Sequence, residues 1–103
     1  MEYEWDNAKN ETNLKKHGID FEFAQEIFEG RFISKIDNRK DYGEIRLLAL
    51  GALGGFILLV VYTMRGERIR IISARRANEE ERSVYYGYIT RGTTEDPWSD
   101  EGL

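Results

Sequence analysis

Five arginines crowd into twelve residues. Positions 65, 68, 70, 75 and 76 are arginine and Glu67 is the one acid among them, so segment 65–76 carries a charge of +4. The guanidinium is a planar fork that donates two parallel hydrogen bonds to phosphate oxygens and keeps its charge at any physiological pH. Arg68 and Arg70 alternate with Ile69 and Ile71, the two-residue period of a strand with one cationic and one apolar face. Side chains two apart on a strand stand roughly 6.5–7 Å apart, near the spacing of successive phosphates. The chemistry these residues could do is binding of a phosphate chain and stabilisation of charge developing on phosphorus, with Arg65 in the adjoining turn. A solvated strand edge would have the same composition, and Arg75 or Arg76 could pair instead with the acids at 79–81. No metal is expected to assist. One histidine and no cysteine leave only carboxylates as ligands, in no recognisable loop. The lack of cysteine also excludes disulfides and thiol catalysis.

A strand needs neighbours to hold such a face in place. Residues 3–5 read as a short opening strand. Asp6 then caps a helix over 7–17 that ends at Gly18 with Lys15, Lys16 and His17 in its last turn. Leu14 is the only large apolar residue of that helix, so its outer faces must be wet or used. Asp20 caps a second helix over 21–29, with Phe21, Ala24, Ile27 and Phe28 on one side. Strands follow over 32–37, 45–53, 56–64 and 68–74. Gly54-Gly55 is a two-residue hairpin signal, and 65–67 makes the next turn. Residues 56–61 are apolar at every position, as in a central strand covered on both faces. Asn78 caps a third helix whose first turn holds Glu79, Glu80 and Glu81, with Asn78 and Glu81 at capping-box spacing. It is expected to end near Tyr86, before Gly87. The fold class is therefore α+β, β-α-α-β-β-β-β-α, a curved antiparallel sheet with helices mainly on one face.

The 103 residues suit a single domain, residues 1–92, followed by an acidic tail over 93–103 that is expected to be flexible. The net charge of −4 hides an uneven distribution: setting aside the four acids of 93–103 leaves 15 basic against 15 acidic residues. A neutral body with a +4 segment attracts polyanions in spite of the overall sign. The opposite charges suggest that the tail lies over 65–76, with Trp98 as an anchor. Residues 1–5 hold two glutamates and no basic residue, unlike a secretory leader. The apolar stretch 47–62 is interrupted by Gly54-Gly55 and falls short of the about 20 residues a spanning helix needs. A cytoplasmic protein without a membrane partner is expected.

Four segments together are specific: EYEWDNAKNETNLKKHGIDF (2–21), AQEIF (24–28), RKDYGEIRLLALG (39–51) and VVYTMRGERIRIISARRA (60–77). In this combination the chain resembles the BrnT family of bacterial toxins. The resemblance spans about residues 2–82, and the residues after 87 depart from it. It implies a RelE-like fold and an endoribonuclease that inhibits translation. It also implies a ribbon-helix-helix antitoxin of the BrnA kind as partner, with promoter DNA bound only through that antitoxin.

RNA brings its own nucleophile, the 2′-hydroxyl, so cleavage needs a base for that proton, positive charge on the phosphorane and a proton for the leaving 5′-oxygen. No cofactor is required. Arg68, Arg70 and Arg65 are assigned to the phosphorane. The base is harder to name, because arginine stays protonated. His17 is the first candidate, since histidine titrates near neutrality, although a histidine before a C-cap glycine also serves the helix end. Glu44 and Tyr62 are lesser candidates, Glu44 with Arg46 as an alternative partner. Lys16, Arg75, Arg76 and Tyr42 are candidates for RNA contact, Tyr42 as an exposed loop ring that could stack on a base or meet the antitoxin. Trp5, Phe21, Phe28 and Phe56 read as core, and Tyr85, Tyr86 and Tyr88 as packing of the third helix. The alternative function is a non-catalytic RNA- or partner-binding module, or a decayed toxin, using the same basic face.

Overall fold

The computed structural model describes residues 1–91 and Trp98. Strand β1 (Glu2–Glu4) leads into α1 (Asn7–His17) and α2 (Phe21–Ala24), which continues as a 3-10 turn, Gln25–Glu29. Then come β2 (Phe32–Ile36), β3 (Leu47–Leu53), β4 (Phe56–Arg65), β5 (Arg68–Arg76) and α3 (Glu79–Arg91). The five strands form one sheet in the order β1-β5-β4-β3-β2. The order of elements is the one expected, but the sheet is mixed rather than antiparallel. Strands β2 to β5 neighbour one another in sequence order and run antiparallel, whereas β1 pairs in parallel with β5, Glu4 opposite Arg70.

Both faces of the sheet are covered, which corrects the expectation of helices mainly on one face. Phe21, Ala24 and Ile27 pack onto Ala49, Leu58, Val60, Ile69 and Ile71. On the other side α3 lays Val84, Tyr85, Tyr88 and Ile89 over Ile33, Leu50, Ile57 and Leu59. Strand β4 supplies residues to both cores, Leu58 and Val60 to one and Ile57, Leu59 and Val61 to the other, which accounts for its unbroken apolar run. The second core also explains why α3 runs past Gly87 to Arg91: residues 84, 85, 88 and 89 have helical spacing, and their burial outweighs the about 1 kcal/mol that a helical glycine costs. Gly51 marks the closest approach of the first core. A Cβ there would stand 2.8 Å from the Ile27 Cβ, so β3 accepts the 3-10 turn only with glycine at this place.

The expected caps are present. The Asp6 carboxylate accepts from the Ala8 and Lys9 amides, Gly18 closes α1 at φ 73°, and Asn78 and Glu81 exchange side-chain to backbone bonds of 2.8 Å. Gly54 and Gly55, at φ 58° and 83°, form the β3–β4 turn, as the primed hairpin geometry requires. Helix α1 is held by a polar contact. Leu14 is exposed, whereas Asn13 is buried and bonds both the Ala74 amide (3.1 Å) and the Ala74 carbonyl (2.8 Å). Strand β1 is too short to cover β5 beyond Arg70, and the Asn13 amide occupies the edge that a longer strand would have paired.

The expected acidic tail lies outside the described residues except for Trp98. That ring is buried in the α3-side core, with the Lys35 ammonium 4.7 Å from its centre. It is therefore seated against Leu48 and the Lys35 side chain, near β2 and β3 and not on the arginine strand.

Candidate active site

Among the described residues α3 rests on the end of its face near the Gly54-Gly55 turn, and no helix packs on the end near Gly66. Strand alternation brings arginines to that end. Ile69 and Ile71 point into the α1/α2 core, so Arg68 and Arg70 point the other way. Val61 packs on the α3 side, which places Thr63 and Arg65 on the same face, and Thr63 is the register partner of Arg70. Leu48 does the same for Arg46 at the start of β3. Four arginines, one just before β3, one at the end of β4 and two on β5, thus share one end of one face. Arg65 and Arg68 are more than half exposed, and Arg46 and Arg70 about a quarter.

The acids among them come from β1 and from the loop before β3. Arg70 Nη1 donates to Glu4 Oε2 at 2.7 Å, and Arg68 Nη1 lies 3.6 Å from Glu4 Oε1. Hydrogen bonding by Arg70 holds the Glu4 carboxyl below its ordinary range in spite of partial burial. Glu44 lies 3.8 Å from Arg46 and 3.7 Å from Arg65, beyond hydrogen-bonding distance of either.

Beside this face the 37–46 loop is tied down by a buried carboxylate. Asp37 is buried and accepts from Arg39 Nε and Nη2, each at 2.7 Å, from the Arg39 amide and from the Tyr42 hydroxyl at 3.0 Å. The Arg39 bonds bring its pKa down to about 2, against the opposing effect of burial. Tyr42 is half-buried rather than exposed, because its hydroxyl reaches Asp37 and its ring lies under the Arg46 guanidinium at 4.2 Å.

Lys16 and His17 sit beside the same strand. A cleft of about 330 Å³ opens between α1 and β5, lined by Lys9, Thr12, Lys16 and His17 on the helix and by Ile72 and Ser73 on the strand. At the β-bulge, Tyr62 pairs with Ile71 and Val61 with Ser73, so Ile72 is the extra residue, and it packs toward the α3 side. The cleft therefore begins two residues beyond Arg70 on the face that carries the arginines.

Other candidates are engaged elsewhere. Tyr62 is buried in the α1/α2 core with the Phe28 ring 5.0 Å away, and burial raises its pKa, which removes it from consideration as a base. Arg75 makes a paired contact with Glu81 at 2.8 and 2.9 Å. Arg76 lies over Phe56, 4.3 Å from the ring centre, and Phe56 is exposed rather than core because it opens the hairpin strand beyond the cover of α2. Sequence reasoning missed Glu4, Arg46 and Asp37. The alternation of Glu2 and Glu4 about Tyr3 was the available signal for the first, but the parallel pairing that brings residue 4 to residue 70 has no local mark.

The family model for the ribonuclease toxin, BrnT, of type II toxin–antitoxin systems matches residues 5–81. The chain belongs to the BrnT family. Its membership makes it a ribonuclease toxin of a type II system, with an RNA target and an antitoxin partner. The match covers every strand from β2 to β5 and both faces of the arginine strand, and it begins one residue after Glu4. No curated protein matches the chain. Among the described residues no helix is long and apolar enough to cross a membrane.

Proposed function

We propose that this BrnT-family toxin is a metal-independent endoribonuclease of RelE-like fold that acts in the cytoplasm and inhibits translation by cutting RNA. A ribbon-helix-helix antitoxin of the BrnA kind neutralises it, and promoter DNA is reached only through that antitoxin. The observation that carries the reading is the sheet face with Arg46, Arg65, Arg68 and Arg70 at one end. On this reading Arg68 and Arg70 bind the non-bridging oxygens of the scissile phosphate, and Arg65 assists from the turn. Their fixed charge stabilises the phosphorane more than the ground state, which is what accelerates the step. Lys16 and His17 hold the flanking strand in the α1–β5 cleft, and Tyr42 lies at the opposite rim. Among the described residues no three His, Asp or Glu side chains converge as a metal site, and arginine supplies the charge a metal would otherwise bring.

The test is incubation of the purified protein with a labelled RNA in excess chelator. Shorter products with 2′,3′-cyclic phosphate ends are expected, with activity falling steeply as salt rises, by roughly −0.7 in the log–log slope per phosphate contact on single strands. Activity lost on chelation and restored by magnesium would overturn the metal-free reading.

A further inference from the structure

We propose that Glu4 is the general base of the cleavage reaction, taking the proton from the RNA 2′-hydroxyl. This rests on the ribonuclease reading above and names the group that reading lacks. Strand β1 pairs in parallel with β5 so that Glu4 stands opposite Arg70, and its carboxylate touches both arginines assigned to the phosphate. Tyr3, between Glu2 and Glu4, packs against the α1/α2 core, which turns both glutamates to the arginine face.

The two oxygens of Glu4 are not equivalent. Oε2 is taken by Arg70 at 2.7 Å, whereas Oε1 has only the loose 3.6 Å contact with Arg68. Oε1 is thus free to accept a hydroxyl proton while Oε2 holds the carboxylate in place. Arg70 gives Glu4 one Nη1–H, so other donors of the guanidinium remain for phosphate. Arg68 is more than half exposed and only loosely held, so it can swing to a phosphate oxygen without breaking a short bond. A phosphate held by this pair would bring the 2′-hydroxyl of the ribose esterified through its 3′-oxygen toward Oε1.

The other bases fall away on position. Tyr62 lies in the opposite core, and His17 lies in the cleft farther along β5. Glu44 touches neither Arg68 nor Arg70 among the contacts within 4 Å. Glu2 stands at the outer edge, 3.9 Å from Arg68 and largely exposed. The low Glu4 pKa, caused first by the Arg70 bond, keeps it ionised at neutral pH. That form weakens it as a base in driving force but has it always ready, and general-base assistance contributes typically 10²–10⁴-fold.

The step balances without a co-reactant. The 2′-O–H bond breaks and its proton passes to Glu4 Oε1; the 2′-oxygen bonds to phosphorus; the P–O5′ bond breaks, and the 5′-oxygen takes a proton from water. The products are a 2′,3′-cyclic phosphate and a 5′-hydroxyl, and Glu4 returns its proton to solvent.

The decisive variant is Glu4→Gln, which keeps the size and an acceptor for Arg70 but cannot take the proton. We expect kcat for a labelled RNA to fall at least about 100-fold, with RNA affinity unchanged or tightened because a negative charge has gone. The acidic limb of the wild-type pH–rate profile should vanish. Glu2→Gln makes the same charge change on the same strand face and should leave cleavage within about twofold. Glu4→Asp, with its carboxylate withdrawn by one methylene, should keep partial activity and the acidic limb, and serves if the glutamine variant does not fold. Glu4→Gln cleaving within threefold of wild type, or Glu4→Asp without an acidic limb, would overturn the assignment. A wild-type protein that binds RNA without cleaving it would fail the ribonuclease reading instead, and so distinguishes the two failures.

Discussion

Two carboxylates in this molecule meet arginine in opposite ways. Asp37 is almost fully buried, with its side chain 1% exposed, and accepts four hydrogen bonds from Arg39 and Tyr42. Its own amide also donates to the Arg46 carbonyl, so it ties both ends of the 37–46 loop. Glu4 is a quarter exposed and accepts one short bond. The Asp37 carboxylate has all its acceptor positions filled and serves to hold structure. The Glu4 cluster has an unfilled acceptor and two guanidinium groups with donors to spare, which a phosphate chain can use. Saturation, rather than charge, separates a structural ion pair from a reactive one here.

The strongest way to test that contrast is to remove an arginine from each cluster. Arg70→Ala should lower RNA cleavage by at least about 100-fold, in line with the loss of one preorganised charge donor. Its unfolding free energy should move little, since the pair is solvated. Chemical denaturation read beside cleavage would separate the two effects, and an unfolded variant would show that the strand face is wrongly assigned.

Asp37→Ala should do the reverse. Loss of its charged hydrogen bonds costs about 2 kcal/mol of stability, while cleavage per folded molecule stays within about threefold. A much larger fall in cleavage would mean that the loop shapes the reaction itself.

Acid should affect the two clusters separately. The Asp37 pKa is about 2 in the folded protein against an ordinary 3.8. Its contribution is therefore fully present above about pH 4 and is lost as pH falls toward 2. Thermal midpoints of the wild type should drop across that window more than those of Asp37→Asn. Equal slopes would show that the loop pair does not set acid stability.

The smallest effect is expected from Arg75→Ala. Arg75 is bound to Glu81, where burial raises the Glu81 pKa but the Arg75 bonds prevail and lower it overall. Stability should fall by no more than about 1 kcal/mol and cleavage by less than twofold. A loss as large as that of Arg70→Ala would extend the reactive site to the far end of β5.

What could be read from the chain alone follows the range of the interactions involved. Caps, the glycine hairpin and the alternation of Arg68 and Arg70 are local, and they are found where the residue types place them. The strand faces of β5 were legible because Ile69 and Ile71 share a parity. Non-local partners were not legible. Nothing near residue 4 signals that it will meet residue 70, nothing in α1 signals that Asn13 will bond the backbone of Ala74, and Gly87 reads as a stop until the core beneath α3 is known. Residues 37–43 read as no more than a polar connection, because the order of this loop depends on one buried aspartate. Tyr62 and Phe56 exchanged their expected environments for the same reason: burial depends on which helix reaches which end of the sheet.

The pairing of the first strand with the last has a consequence for biosynthesis. Glu4 leaves the ribosome some 65 residues before Arg68 and Arg70, and the Asn13 contact with Ala74 comes later still. Until then β1 has no strand to join. A nascent or prematurely terminated chain therefore holds the acid without the arginines, and cannot assemble the site beside the message that encodes it. Long-range pairing of this kind forms late, because its loop must close before any contact repays the lost entropy. For a protein that attacks RNA, that delay keeps synthesis and activity apart in time.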